Sequence, residues 1–280
     1  KKDLIEYNYA KDDIPESVKL IINEYFSNEA DEIRKSNTTN FMARALIVAT
    51  MPHKDPKSDI FTRKNGAFTL RMLAGSSKGL PFGIYPRLLM SWITSEAVRT
   101  KSPVIELNES LGDFLKYSLD LKRGGANRRL IDQMARLFGT HITATTAGNA
   151  KQAPIRLNNV VIADEAEIYP EEVRELWTPQ TDNVGEWKSK LILNPKFFSE
   201  LITSPVPIDI TAFKVLTGSP LAMDLYTFLT YRYSYLERPT TIPWVSLQNQ
   251  LGSNYAFTPE GTRDFKNKGI IPALAKIHAI

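Results

Sequence analysis

The sequence predicts an α+β protein made of tandem winged-helix modules that follow an N-terminal helical extension. Three observations lead to this fold class: two helices are followed by a third and then by strands, a similar order recurs toward the C-terminus, and both runs share a serine–leucine pattern. With 280 residues, 42% of them hydrophobic, the chain is long enough for one large or two smaller domains with a substantial core.

Residues 1–40 are predicted to form an amphipathic helix and a linker. In residues 14–35 the apolar side chains recur at helical spacing, and Pro15 suits the first turn of a helix. Because this stripe needs covering, the segment is predicted to make a homodimer contact. Since residue 1 is lysine rather than methionine, the sequence is expected to begin within a longer chain. The stripe consists of Val18, Ile21, Ile22, Tyr25, Phe26, Ala30 and Ile33.

Residues 41–207 are predicted to form the first winged-helix domain, with a hairpin and an acidic insert. Its opening segment, residues 41–51, is apolar and fits either a helix or a strand. Residues 59–73 fit a hairpin, because Asn65-Gly66 suits a tight turn between strands. The alternating apolar residues of the second strand are Phe68, Leu70 and Met72.

Helices and strands then alternate through the rest of this domain. A helix over residues 86–100 starts on proline, a strand follows at 104–107, and Asn108 suits the N-cap of a second helix. A third helix begins near Asn127. The acidic stretch 164–176 is predicted to be a solvated linker or helix, with binding of a basic partner as the alternative. The inward face of the first helix consists of Leu88, Leu89, Trp92, Ile93 and Ala97, and the later β-like segments are 142–146, 156–163 and 190–194.

Residues 208–280 are predicted to form the second winged-helix domain, which is expected to end before its wing. Pro220 opens a long helix, residues 240–244 are a short strand candidate, and Thr258-Pro259 caps a later helix. Ser110-Leu111 with Leu115 matches Ser246-Leu247 with Leu251, which indicates a duplicated module. The aromatic residues of the long helix, predicted to lie in the core, are Tyr226, Phe228, Tyr231, Tyr233 and Tyr235.

Positive charge is concentrated in one part of the chain. The net charge is +4 overall, but residues 41–158 hold 18 basic and eight acidic side chains, a net of +10, whereas residues 159–187 carry −7 and residues 1–40 carry −3. Such a block indicates a surface that meets a polyanion. The alternative is a basic face that only keeps the protein hydrated.

The densest positive stretch lies on the helix near Asn127. Leu130, Ile131, Met134, Leu137 and Phe138 cover one face of it, and arginines fall on the opposite face. Such a helix fits the major groove of double-stranded DNA, where arginine can grip guanine and Gln133 can pair with adenine. The predicted DNA-contact residues are Lys122, Arg123, Gly125, Asn127, Arg128, Arg129, Gln133, Arg136, Lys151, Arg156, Arg263, Lys266 and Lys268.

The sequence offers no sign of catalysis or of a cofactor. It has no cysteine, its three histidines are scattered, and no Gly-x-x-x-x-Gly-Lys pattern occurs. No apolar run approaches the length of a membrane span, so the protein is expected to be cytoplasmic, to have no membrane partner and to bind no metal.

Three stretches together resemble a known family. The runs GLPFGIYPRLLMSWITSEAVRTKS, SLGDFL and GGANRRLIDQMARLF are similar, in this order, to those of RepA-type plasmid replication initiators. The similarity is close over about residues 60 to 145 and looser over the rest after residue 40. It implies a protein that binds repeated origin sites in duplex DNA, recruits host replication proteins such as the initiator and helicase, and represses its own promoter.

Two other interpretations stay open at this point. One keeps the fold but makes the protein a transcriptional repressor without initiator activity. The other is a DNA-nicking enzyme or primase, which would need a histidine pair beside a tyrosine or clustered carboxylates for metal ions.

Overall fold

The computed structural model describes most of the chain after residue 49. The N-terminal helix and linker, the helix at Asn108 and most of the apolar segment 41–51 lie outside the described residues. The described residues are 50–66, 68–107, 126–146, 155–170, 188–203, 206, 208–234, 236–252 and 254–280.

The described residues form a mixed helix–strand fold with two antiparallel sheets. One sheet has the strand order β1-β2-β4-β5 and the other has the order β3-β7-β6. The strands are β1 (Ile60–Asn65), β2 (Phe68–Ala74), β3 (Val104–Glu106), β4 (Thr140–Thr146), β5 (Arg156–Val161), β6 (Ala163–Glu167) and β7 (Lys190–Leu193).

Helices cover these sheets and make up most of the C-terminal part. The last two helices are joined by a π-helical segment, Phe265–Ile270. The helices are α1 (Ile84–Thr100), α2 (Ala126–Phe138), α3 (Pro195–Thr203), α4 (Ile210–Leu216), α5 (Pro220–Tyr233), α6 (Trp244–Leu251), α7 (Pro259–Asp264) and α8 (Ile271–His278).

The hairpin and the first helix are confirmed. β1 and β2 pair antiparallel around a turn in which Gly66 has a φ of 59°, a conformation that glycine adopts without strain. Alternate residues of β2 point into the core, as predicted. All five residues predicted for the inward face of α1 are buried, and the strand predicted at 104–107 is present as β3.

The acidic insert departs from the prediction where it is described. Residues 163–167 are strand β6 rather than a linker or helix, and Asp164, Glu165 and Glu167 are exposed on it. The strand forms because its backbone pairs with β7, and this pairing does not depend on apolar side chains. β6 lies at the edge of its sheet, where charged residues discourage further strand pairing.

The C-terminal region contains two further corrections. Residues 240–243 form no strand, because Pro243 cannot donate to a ladder and instead sits at the N-cap of α6. Tyr233 is 77% exposed rather than part of the core, whereas Phe228 is buried as predicted. The predicted cap is confirmed, since the Thr258 hydroxyl accepts from the Gly261 N–H.

A buried cluster of charges joins α1 to α5. Asp224 accepts two hydrogen bonds from Arg87, Nε to Oδ1 at 2.6 Å and Nη2 to Oδ2 at 2.6 Å. His53 Nε2 donates to Asp224 Oδ2 at 2.7 Å. Arg63 of β1 is also buried, and burial lowers its pKa to about 10. Arg87, Asp224 and His53, called the buried clasp below, connect the two sides of the predicted domain boundary at residue 207, because Arg87 and His53 precede it and Asp224 follows it.

The buried clasp makes the fold sensitive to acid. Burial lowers the pKa of His53 below 6.5, helped by the charges of Arg87 and Arg63 and opposed by Asp224. The folded protein therefore keeps His53 neutral, so its contribution to stability is complete above pH 6.5 and is lost as the pH falls through the lower folded-state pKa.

We expect the urea midpoint to fall when the pH is lowered from about 7.5 to about 5, because the unfolded state then binds a proton that the folded state resists. The fall should be smaller in His53→Gln, whose amide can still donate to Asp224 but does not titrate. Equal falls in the two proteins would show that His53 is not responsible.

Candidate nucleic-acid interface

The helix predicted to read DNA is present as α2, and the core holds it firmly. Leu130, Met134 and Leu137 have no exposed surface, and the helix packs against α1. Burial of three such side chains contributes roughly 1.5–3 kcal/mol each, so α2 has a fixed position on the scaffold. A side chain on its outer face is therefore presented in a fixed direction.

Arg128 and Arg129 lie on this outer face, in the first turns of α2, and both are exposed. Arg129 lies near Tyr85: burial raises the pKa of the Tyr85 phenol, and the charge of Arg129 opposes that shift. The N-terminal end of a helix also carries unpaired backbone N–H groups and a partial positive charge. Two guanidinium groups therefore lie beside a helix end that itself favours anions.

Gln133 lies one turn after Arg129 on the same face of α2 but is not exposed, so this part of the prediction is wrong. Its side chain is buried, and Oε1 accepts a hydrogen bond from the Phe82 backbone N–H at 2.9 Å. The helical pattern places Gln133 opposite the apolar stripe, but the side chain is exposed there only if no other part of the chain packs on that face of α2. Residues 79–82, the GLPF loop, do pack on that face. The spacing of apolar residues in α2 contains no information about this loop.

Arg136 also faces this loop rather than open solvent. Its side chain is only 15% exposed, Nε donates to Asp132 Oδ2 at 2.8 Å, and Nη1 donates to the Leu80 carbonyl at 3.2 Å. The guanidinium carbon lies 5.2 Å from the centre of the Phe82 ring. The structure thus brings Gln133 and Arg136 together as anchors of the GLPF loop, and leaves Arg128 and Arg129 as the exposed arginines of α2.

Replacing Gln133 by alanine should lower the free energy of unfolding by about 1–3 kcal/mol, because the Phe82 N–H loses its acceptor in a partly buried site. Urea denaturation measures this loss. Arg129→Ala is the matched control on the same helix, and as an exposed substitution it should change stability by less than about 0.5 kcal/mol. Equal stabilities of the two variants would contradict the anchoring role.

Lys78 is a basic residue that the sequence reasoning missed. It is exposed next to Gly79, where an added Cβ would lie 3.2 Å from Arg136 Nη1. The lysine therefore lies beside the C-terminal half of α2. The sequence could have indicated Lys78 as a candidate DNA contact, because it lies in the basic block of residues 41–158, directly before the GLPF loop.

The remaining residues predicted to contact DNA are either far apart in the fold or lie outside the described residues. Arg156 is exposed at the start of β5, opposite Thr146 of β4. Lys122, Arg123, Gly125 and Lys151 lie outside the described residues, and the side chain of Asn127 does too.

The basic residues near the C-terminus belong to the continuous helix that runs from α7 to α8. Arg263 is exposed, Lys268 pairs with Asp264 at 2.9 Å, and Lys266 Nζ lies 5.3 Å from the centre of the Trp244 ring. Gly269 permits close packing, since a Cβ there would meet Tyr255 Oη at 2.8 Å. Glycine and proline are poor residues for a helix interior, yet the helix continues here: Gly269 lies in the π-helical segment and Pro272 lies in the first turn of α8.

Neither a metal site nor a membrane-spanning helix is found among the residues that the structure describes. Among them, no three His, Cys, Asp or Glu side chains converge so that they could hold a metal ion. None of the described helices combines the length and the apolar character that crossing a membrane requires.

Comparisons with known proteins identify the family of this chain and solved structures with a similar fold. Residues 80–245 match the model of a family described as plasmid encoded RepA protein. Domains 2 and 3 of RctB, as selenomethionine derivatives, are similar at a TM-score of 0.54 and 15% identity, over 85% of this chain and 82% of that chain. A second RctB structure of domains 2–3 has a TM-score of 0.50 and 14% identity, over 79% and 80%. No curated protein matches the chain.

Proposed function

The chain belongs to the family of plasmid-encoded RepA replication initiators, and from this premise we propose that it starts plasmid replication by binding repeated sites in double-stranded origin DNA. The observation that carries the proposal is the exposed Arg128–Arg129 pair at the start of α2, on a helix that the core holds in place. This pair lies inside the block of residues 41–158, whose net charge is +10.

In the proposed complex α2 lies against the major groove. The groove is wide enough for a helix, and an arginine fork can bind guanine O6 and N7 or bracket a phosphate. Arg128 and Arg129 take these roles, while Gln133 and Arg136 hold the GLPF loop against α2 and so fix its orientation. Lys78, which directly precedes that loop, adds a phosphate contact, which positions the protein without reading sequence.

The other predicted contacts extend this interface. We assign phosphate contacts to Lys122, Arg123 and Gly125 before α2, with Asn127 in its first turn. Lys151 and Arg156 belong to the connection and strand after β4, which takes the place of a wing. Arg263, Lys266 and Lys268 on the C-terminal helix form the second contact region of a tandem winged-helix arrangement.

The proposed role is binding and recruitment rather than catalysis. The bound protein would help to open the origin, recruit the host initiator and helicase, and as a homodimer repress its own promoter. Family membership and the proposed duplex contact support this role.

Footprinting on the DNA that flanks the reading frame tests the proposal, with protected direct repeats as the expected result. Affinity for these repeats should fall steeply as salt rises, because bound phosphates release counterions; six to ten contacts correspond to roughly 10³–10⁵-fold between 50 and 200 mM salt. A plasmid with these repeats should replicate only when the protein is supplied. Absence of protected repeats, or a flat salt profile, would contradict origin binding.

A further inference from the structure

A groove of about 510 Å³ opens between α1, α4 and α5. Its apolar lining includes Met90, Val98, Leu201, Ile208, Phe213 and Met223. The charged side chains in its lining already have partners, since Arg87 pairs with Asp224 and Arg99 pairs with Glu96. The groove therefore suits an apolar occupant rather than a charged ligand.

The chain enters the described fold at this groove. Thr50 and Met51 are the first described residues, and both line the groove. Forty-nine residues precede them. The connection of residues 36–49 can span up to about 45 Å, at roughly 3.3 Å for each extended residue. Residues 14–35 can therefore reach every part of the groove.

The apolar stripe of residues 14–35 matches the groove in pattern and length. Val18, Ile21, Ile22, Tyr25 and Phe26 occupy positions i, i+3, i+4, i+7 and i+8, the pattern of helices that bind in apolar grooves. From the first to the last of these residues a helix rises about 12 Å. The wall of the groove from Met90 to Val98 on α1 has the same rise of about 12 Å.

We propose that residues 14–35 of the chain form a helix that docks in this groove of the same molecule. Tethering gives the segment an effective concentration in the millimolar range, which favours the chain's own groove over that of a second copy. This occupant differs from the homodimer contact that the stripe alone predicts.

Limited proteolysis of the full chain tests the docking, because a docked helix must open before trypsin can cleave it. Cleavage after Lys19 should be slow in the wild type and about tenfold faster in Val98→Asp, which places a charge in the groove. Val104→Asp is the matched control: this valine is 45% exposed on β3, outside the lining, and Val98 is 36% exposed. Equal cleavage rates in all three proteins, or equal acceleration in both variants, would overturn the proposal.

A disulfide test identifies the occupant, since the natural chain has no cysteine. Ile22→Cys combined with Val98→Cys should form a disulfide within one molecule, at a yield that does not depend on protein concentration. Ser27→Cys on the polar side of the helix, combined with the same Val98→Cys, should form much less. A disulfide that links two molecules, or none in the first pair, would overturn docking within the chain.

Discussion

Asp224→Asn is expected to lower the free energy of unfolding by about 3–5 kcal/mol, the typical cost of removing one partner from a buried ion pair. The side chains of Arg87 and Asp224 are only 4% and 10% exposed, and the pair has two hydrogen bonds of 2.6 Å. Asparagine keeps the size of the side chain but removes the charge, so Arg87 would remain charged and buried with no counter-charge, held by the backbone carbonyls of Met51, Pro52 and Gly83.

The midpoint of urea denaturation measures this effect. Asp264→Asn is the matched control, because it removes the same charge from a pair with Lys268 whose side chains are 43% and 72% exposed. An exposed pair of this kind contributes about 0–1 kcal/mol. Similar losses in the two variants would show that the buried clasp does not stabilise the fold as described.

The second large effect concerns DNA affinity. Arg128→Ala and Arg129→Ala should each weaken binding to the origin repeats by about 1–3 kcal/mol if the guanidinium group contacts a base edge, and should relax the sequence preference at one base pair. Such a loss corresponds to roughly 5- to 150-fold in Kd. Both residues are exposed, so the stability of the free protein should hardly change.

Arg99→Ala is the control for this prediction. Arg99 is exposed near the end of α1, 14 residues after Tyr85, so the helix separates it from the Arg129 region by about 21 Å. Titration of a labelled duplex at a fixed salt concentration compares the variants. If Arg99→Ala weakens binding as much as Arg129→Ala does, the loss reflects overall charge and not a contact made by α2.

The parts of the fold that were predictable depend on local patterns. The alternation of Phe68, Leu70 and Met72 predicted β2, and the helical spacing of Leu88, Leu89 and Trp92 predicted the buried face of α1. In each case the residues that decide the structure are close together in the sequence. Periodicity therefore found these elements and the core-facing side of α2.

The missed features depend on contacts between distant parts of the chain. Phe82 and Gln133 are 51 positions apart, and Arg87 and Asp224 are 137 apart. A helical wheel of α2 contains no information on the loop that buries Gln133. Arg87 and Asp224 did give one signal, since each is a single charge in an otherwise apolar run, and two such charges of opposite sign are candidates for a buried pair.

The central claim, that the Arg128–Arg129 edge of α2 lies against duplex DNA, is tested most directly by DNA cleavage from a tethered iron chelate. Because the chain has no cysteine, the chelate can be attached at one introduced position, Arg128→Cys, with Arg99→Cys as the control. The protein concentration is set high enough to saturate the repeats despite the weaker binding expected when Arg128 is replaced. We predict cleavage confined to the origin repeats from position 128 and none from position 99. Cleavage from position 99 with none from position 128 would contradict the account.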